Sequence, residues 1–304
     1  MLNIRRLRHI GIKLPDTHEA VRFYEDTWGL RIVDDHNGAV YLRGTGPEHH
    51  ILSLYPAPRR GVNHISFALD DAMAVDAAAI ELQERGVPVL EQPRHSEEPG
   101  GGYGLRLVDP DGRIVELSAE VDEQQPDHGL APVSPTKVTH VVLNTPDIDG
   151  LCDFYTRILG FRVSDWSEHQ MVFLRCNPDH HSIAFNQGPH ASLNHVAYEL
   201  PSMEDVMRGI GRVRQRGPQN MWGPGRHGPG NNVFAYFQDA TGFVCEYTSD
   251  VQQIVDEQRW VPQVWQRTPE LMDRWGTAGF PPPEMRAAMA GEPDPGVAQK
   301  QSRA

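Results

Sequence analysis

Fifteen histidines stand out in a chain of 304 residues that carries a net charge of −13. Two of them, His140 and His195, together with Glu246, offer two imidazoles and one carboxylate. Such a set fills one side of a six-coordinate metal and leaves the other side open, an arrangement suited to Fe(II) oxygen chemistry and tolerant of Mn(II). The three are separated by 55 and 51 residues, so only the fold can bring them together. A histidine at a strand start is more often a packed or surface residue than a ligand. Here the metal reading is raised by recurrence: His9, His64 and Glu116 stand at equivalent places earlier in the chain.

That recurrence belongs to an internal duplication. Leu7–Asp16 resembles Val138–Asp147 at an offset of 131. At the same offset Phe23-Tyr24 matches Phe154-Tyr155, Gly29 matches Gly160, and Val62-Asn63-His64-Ile65 matches Leu193-Asn194-His195-Val196. Glu116 matches Glu246 with one residue lost. The pattern predicts halves over 1–122 and 136–250, a Pro- and Gly-containing linker over 123–135, and a tail over 251–304. Alternating segments ending in Pro-Asp predict strands, with Asp16 and Asp147 as helix caps. Helices are expected over 17–28 and 148–159, each closed by a glycine, and over 72–85 and 203–214. The β-rich runs are 30–34, 38–43, 50–55, 161–166, 170–175 and 181–186. Strands are also expected at 64–69, 103–108, 113–118, 195–200, 232–237 and 243–248. Each half then reads as two βαβββ units, an α+β class with curved mixed sheets. In the tail, the tryptophans at 260, 265 and 275 suggest a packed segment. Residues 281–304 have few large apolar groups and are expected to be mobile.

Composition narrows the function classes. With 28 Lys+Arg against 41 Asp+Glu, a phosphate-meeting basic surface is not expected, so nucleic acid and anionic membranes fall away as partners. No apolar run is long enough to span a bilayer, and the first residues lack the apolar core of a signal peptide. Three cysteines make no disulfide framework. The expectation is a cytoplasmic protein.

The motifs around the candidate ligands are more specific than the spacing. Thr139-His140, Asn194-His195-Val196-Ala197-Tyr198-Glu199-Leu200 and Glu246-Tyr247 resemble the metal-binding segments of type I extradiol ring-cleavage dioxygenases of the vicinal oxygen chelate superfamily. His180-His181-Ser182-Ile183-Ala184-Phe185 resembles the segment bearing that family's catalytic histidine, which His181 matches. Gly223–Asn232, with His227, followed by Phe234-Ala235-Tyr236, resembles its substrate-facing loop and tyrosine. The resemblance covers about residues 1–265. It implies two tandem domains, each a pair of βαβββ modules, with a catalytic metal in the C-terminal one and none in the other. It also implies ring cleavage of a catecholic substrate, carbocyclic or heteroaromatic, by both atoms of O2, and a homo-oligomer. On this resemblance His140, His195 and Glu246 hold Fe(II), with Mn(II) as the alternative. His181, Tyr236 and His227 are then the groups that move or hold protons beside it.

The residues themselves leave other readings open. A tyrosine in an alternating strand is more often core than catalytic. Neighbouring residues on a strand face opposite ways, so only one of His180 and His181 should face a pocket, with the other solvated. Trp222, Phe173, Val172 and Trp265 are candidates for the pocket wall. Some members of the resembled family that take carboxylated catechols carry Arg where Trp222 falls, so the resemblance favours a neutral or differently anchored ring, with Arg226 and Arg267 left as candidates for holding a substrate carboxylate. His49-His50 resembles His180-His181, yet the first half has no counterpart of the loop containing His227 and Tyr236. The superfamily also contains glyoxalase-type isomerases and non-catalytic binding proteins. An isomerase would usually draw four protein ligands, and a binding protein would be expected to lose the triad.

Overall fold

A computed structural model describes residues 2–125 and 133–296. Four βαβββ modules follow one another. The first is β1 (Arg6–Leu14), α1 (Thr17–Arg22), β2 (Arg31–His36), β3 (Ala39–Arg43) and β4 (Leu52–Pro56). The second is β5 (Gly61–Ala68), α2 (Ala72–Glu84), β6 (Val89–His95), β7 (Tyr103–Val108) and β8 (Ile114–Ala119). The third is β9 (Lys137–Thr145), α3 (Ile148–Asp153), β10 (Arg162–Ser167), β11 (Met171–Arg175) and β12 (Ile183–Gln187). The fourth is β13 (Ser192–Glu199), α4 (Met203–Gln215), β14 (Trp222–Arg226), β15 (Val233–Gln238) and β16 (Val244–Ser249). The tail adds β17 (Gln263–Trp265), α5 (Pro269–Met272) and α6 (Pro283–Ala290).

Asp16 and Asp147 cap α1 and α3 by accepting backbone N–H groups of His18 and Gly150. Both helices then widen into a π-helical turn, Phe23–Trp28 and Phe154–Ile158. The equivalent glycines Gly29 and Gly160 follow with φ of 93° and 82°, where a Cβ would be strained. The modules pair into two curved sheets, ordered β2-β3-β4-β1-β5-β8-β7-β6 and β14-β15-β16-β13-β9-β12-β11-β10-β17. Each sheet runs through its two modules across a central antiparallel pair, β1 with β5 and β9 with β13.

Three strands escaped the sequence reading: β17 in the tail, and β6 and β14 within the modules. The strands β6 and β14 carry proline and lie at a sheet edge, where a missing N–H costs no ladder bond. The run expected to start at 181 starts at Ile183. The tail differs too. Residues 281–296 are not a mobile segment but a strap. Met285 on α6 is fully buried against Trp222, Phe234 and Tyr236. Asp294 then reaches the first half, accepting from Val62 N and pairing with buried Arg113 at 3.0 Å. Residues 297–304, and 126–132 of the linker, lie outside the described residues.

The apolar core is continuous through both halves. Trp28 stacks on Tyr247 with centroids 3.7 Å apart. Tyr24 donates to Asp239, and its repeat equivalent Tyr155 donates to Asp109, which is Asp239's equivalent. Among the described residues no helix is long and apolar enough to cross a membrane.

Candidate metal centre and its pocket

Three adjacent strands carry the triad: His140 on β9, His195 on β13 and Glu246 on β16. Ala197 lies level with both His140 and Glu246 in the ladder, and its methyl leaves room between them. A register shift between Leu193 and His195 lets Asn194 and His195 both face the cavity, while Leu193 and Val196 stay in the core. Alternation alone would have turned one of that pair inward.

Glu246 Oε2 lies 3.3 Å from His140 Nε2 and 3.2 Å from His195 Nε2. Ligands about 2.1 Å from one ion and roughly at right angles lie about 3 Å from each other. His195 Nε2 and Glu246 Oε2 are buried and make no hydrogen bond with any described residue. Their other polar atoms are engaged. His195 Nδ1 donates to Asn194 Oδ1 at 2.8 Å, which turns the Nε2 lone pair toward the triad's centre. Glu246 Oε1 accepts from Asn232 Nδ2, which also donates to Thr248 Oγ1. Neutral imidazole, carboxylate and two buried atoms lacking partners fit a divalent cation.

His181 faces the same cavity, its ring centroid 4.0 Å from that of His140. His180 is not solvated. The pair lies in a bend before β12, and His180 is fully buried between His181 and Asp165. His180 Nε2 is 3.1 Å from Asp165 Oδ2, and the two Nδ1 atoms of His180 and His181 are 3.1 Å apart. A carboxylate only accepts, so His180 donates from Nε2 and accepts at Nδ1. His181 must then donate from Nδ1, leaving its Nε2 as an acceptor. Burial, then neighbouring His140, lowers the pKa of His181 well below the ordinary value.

On the opposite side His227 Nδ1 donates to the Met272 carbonyl at 3.1 Å. Its Nε2 therefore accepts, and Tyr236 donates to it at 2.9 Å. Burial pushes His227 down to about 4. Burial and Glu246 raise the Tyr236 phenol well above its ordinary pKa. Trp222 and Phe173 line the cavity as expected. Val172 faces the core instead, and Trp265 is turned to donate to Asp165 at 2.7 Å. Arg267 lines the cavity, whereas Arg226 is paired with Asp250 over Trp275. Sequence reasoning missed Asp165, the roles of Asn232 and Asn194, and the part of the tail beyond Arg267 that walls the cavity, Met272 and Met289 among it. Asn194 alone had a signal, since it repeats Asn63 in the duplicated segment.

The first half brings His9, His64 and Glu116 together in the same way, beside a cavity of about 440 Å³. Its polar atoms are already engaged. His9 Nε2 and His64 Nε2 hydrogen-bond each other at 2.8 Å. Ser66, at the place of Ala197, donates to Glu116 Oε1, and Arg106, at the place of Tyr236, donates to Oε2 at 2.9 Å.

Known proteins share this architecture. The model of the Glyoxalase/Bleomycin resistance protein/Dioxygenase superfamily matches residues 6–117 and 137–247. Metapyrocatechase 2 of Cupriavidus necator is 26% identical over 283 residues, covering 84% of each chain. The manganese-dependent 2,3-dihydroxybiphenyl 1,2-dioxygenase of Geobacillus genomosp. 3 is 28% identical over 289 residues, covering 86% of this chain and 90% of the relative. The Mn(II)-bound glyoxalase from Novosphingobium aromaticivorans superposes with a TM-score of 0.90 at 36% identity, covering 98% of both chains. With its duplicated halves each matched by the family model, this chain belongs to the Glyoxalase/Bleomycin resistance protein/Dioxygenase superfamily.

Proposed function

We propose that the protein is an extradiol dioxygenase, cleaving a catecholic ring beside its diol with both atoms of O2, and that His140, His195 and Glu246 hold its metal. The observation that carries this is the buried Oε2 of Glu246 facing two imidazole nitrogens, with neutral proton-handling groups on both flanks. The relatives named metapyrocatechase and dihydroxybiphenyl dioxygenase support the reaction class. A divalent metal there, Fe(II) or Mn(II), would supply Lewis acidity and open coordination for a diol and dioxygen together. Fe(II) is our assignment from the resemblance, and the donors suit either ion.

The chain's own groups divide the proton work. Tyr236 has committed its hydroxyl hydrogen to His227, so its oxygen can accept from a substrate hydroxyl. A proton entering at Tyr236 Oη is balanced by the phenol's own proton passing to His227 Nε2. The neutral His227 and the Met272 carbonyl behind it make that transfer local. Across the cavity His181 presents an unprotonated Nε2, held in that tautomer by His180 and Asp165. It can take a proton and return it later in the cycle, as general acid–base catalysis requires. Val142, Phe173, Met272 and Trp222 keep the ring side of the cavity dry. We assign no catalytic metal to the first half, because Arg106 and Ser66 occupy both oxygens of Glu116.

A second reading, a metal-dependent glyoxalase-like isomerase, is favoured by the name of the 36%-identical relative. Isomerases of that type usually draw four protein ligands, whereas three residues converge here. Oxygen uptake separates the two. Anaerobically metal-loaded enzyme given a panel of catechols should consume one O2 per diol and form a yellow ring-opened product. No uptake with metal shown to be bound would transfer the case to the isomerase.

A further inference from the structure

The proposed substrate cavity, about 310 Å³, is unusual in its charge. In a chain with 41 acidic residues, the triad's own Glu246 is the one carboxylate at this cavity among the described residues, and no other aspartate or glutamate lines it. Its charged lining side chains are Arg267 and Arg286. The first-half cavity is the contrast: Glu91, Glu97, Glu98 and Glu116 line it, and Arg106 is paired to three of them.

Neither arginine of the second cavity forms a side-chain ion pair with a described residue, although Glu168 accepts from the backbone N–H of Arg267 and lies near its guanidinium. Arg267 is half-buried and donates to three neutral oxygens, Ser167 Oγ, Gln170 Oε1 and Asn186 Oδ1. Arg286 on α6 makes no side-chain hydrogen bond or ion pair with any described residue. Arg267, partly desolvated and held by neutral acceptors, gains from an anion, whereas Arg286 is exposed and keeps its guanidinium in solvent at the cavity rim.

A hydrogen-bond row links Arg267 to the end of α6, one helical turn beyond Arg286. Asn186, which accepts from Arg267, donates to Asn144, and Asn144 donates to the carbonyls of Met289 and Ala290 at the end of α6. That end is joined to the triad by a row of side chains: His195 Nδ1 donates to Asn194 Oδ1, and Asn144 Oδ1 accepts from both Asn194 and Asn186, the partner of Arg267. A short substituent on a catechol ring seated at the triad would carry an anion along this row toward Arg267. Val142, Phe173 and Met171, an apolar cluster, line the stretch between.

Resting on the ring-cleavage reading, we infer that the natural substrate is a catechol whose substituent ends in a carboxylate held by Arg267 and Arg286. The diol and the anion then sit at opposite ends of an apolar slot. Arg286 comes from the tail, so the strap helps to choose the substrate as well as to roof it.

The test compares 3-(3,4-dihydroxyphenyl)propionate with its methyl ester. Binding is read by anaerobic titration calorimetry of the metal-loaded protein and turnover by oxygen uptake. The acid should bind at least tenfold more tightly than the ester. Arg267→Gln and Arg286→Gln should each collapse that ratio, and Arg286→Glu should reverse it. Arg286 lies on the exposed side of α6, so its variants remain informative should Arg267→Gln disturb the strand edge. Equal affinity for acid and ester, or a ratio that survives both glutamine variants, overturns the inference. Arginine-dependent preference for the acid with no oxygen uptake from either compound would sink ring cleavage and leave the anion site standing. Uptake at equal kcat/KM from both would do the opposite.

Discussion

A single imidazole tautomer decides whether His181 can accept a proton, and a residue two partners away sets it. Asp165 accepts from His180, and His180 in turn accepts from His181. His195→Ala should therefore abolish metal binding and activity together. His181→Ala should keep the metal while turnover falls by about a hundredfold or more. Metal content by elemental analysis beside oxygen-uptake rates checks both, and a His195→Ala protein with full metal and rate would refute the site. The ligand types were legible because duplication displays each one twice. His181 and Tyr236 were legible only through motif resemblance. Asp165 was not legible. Its role comes from a bend that buries His180, and strand alternation predicts the opposite orientation for that residue.

At the scale of elements, one scaffold carries two outcomes. The Ser66–His9–Glu116 row repeats the Ala197–His140–Glu246 row, and two side chains differ at the triad's edge. Combining Ser66→Ala with Arg106→Tyr frees both oxygens of Glu116. That variant should bind a second divalent ion per chain, read by equilibrium dialysis against Mn(II), where the parent binds one. Unchanged stoichiometry would mean that the hydrogen-bonded His9–His64 pair, and not Arg106, closes the site. The strap offers a different test. Asp294→Asn leaves Arg113 with Asp109 and Asp111 but removes its 3.0 Å ion pair. A loss of about 1.5–3 kcal/mol in urea unfolding is expected for a charged hydrogen bond, with a raised KM as α6 loosens. The four modules were readable from hydrophobic periodicity and turn residues. The edge strands β6 and β14 and the strap were not, because proline and glycine are tolerated at edges and a short helix anchored by Met285 has little periodicity to show.

The molecule as a whole buries many neutral imidazoles, and this sets its response to acid. In the first half burial lowers His9 well below its ordinary pKa, lowers His64, and takes His50 down to about 3. In the unfolded chain they titrate near about 6.5. Between these limits the unfolded state binds more protons, so stability rises with pH and is lost as pH falls below about 6.5. His50 alone should cost about 1.4 kcal/mol per pH unit between pH 6 and 4. Urea midpoints should hold from pH 7.5 to about 6.5 and fall from there to pH 5, and a flat series would show that these imidazoles are solvated.

The crossed pairs Tyr24–Asp239 and Tyr155–Asp109 carry a consequence for how such a chain came to exist. Each half offers the other the same patch it receives, which is the signature of an isologous contact. The molecule is in effect a homodimer tied into one polypeptide, and its tether mainly raises the local concentration of one half around the other. Once joined, the two copies no longer had to stay identical. One carries an open triad, while in the other a guanidinium occupies the carboxylate and a neighbouring arginine grips the strap.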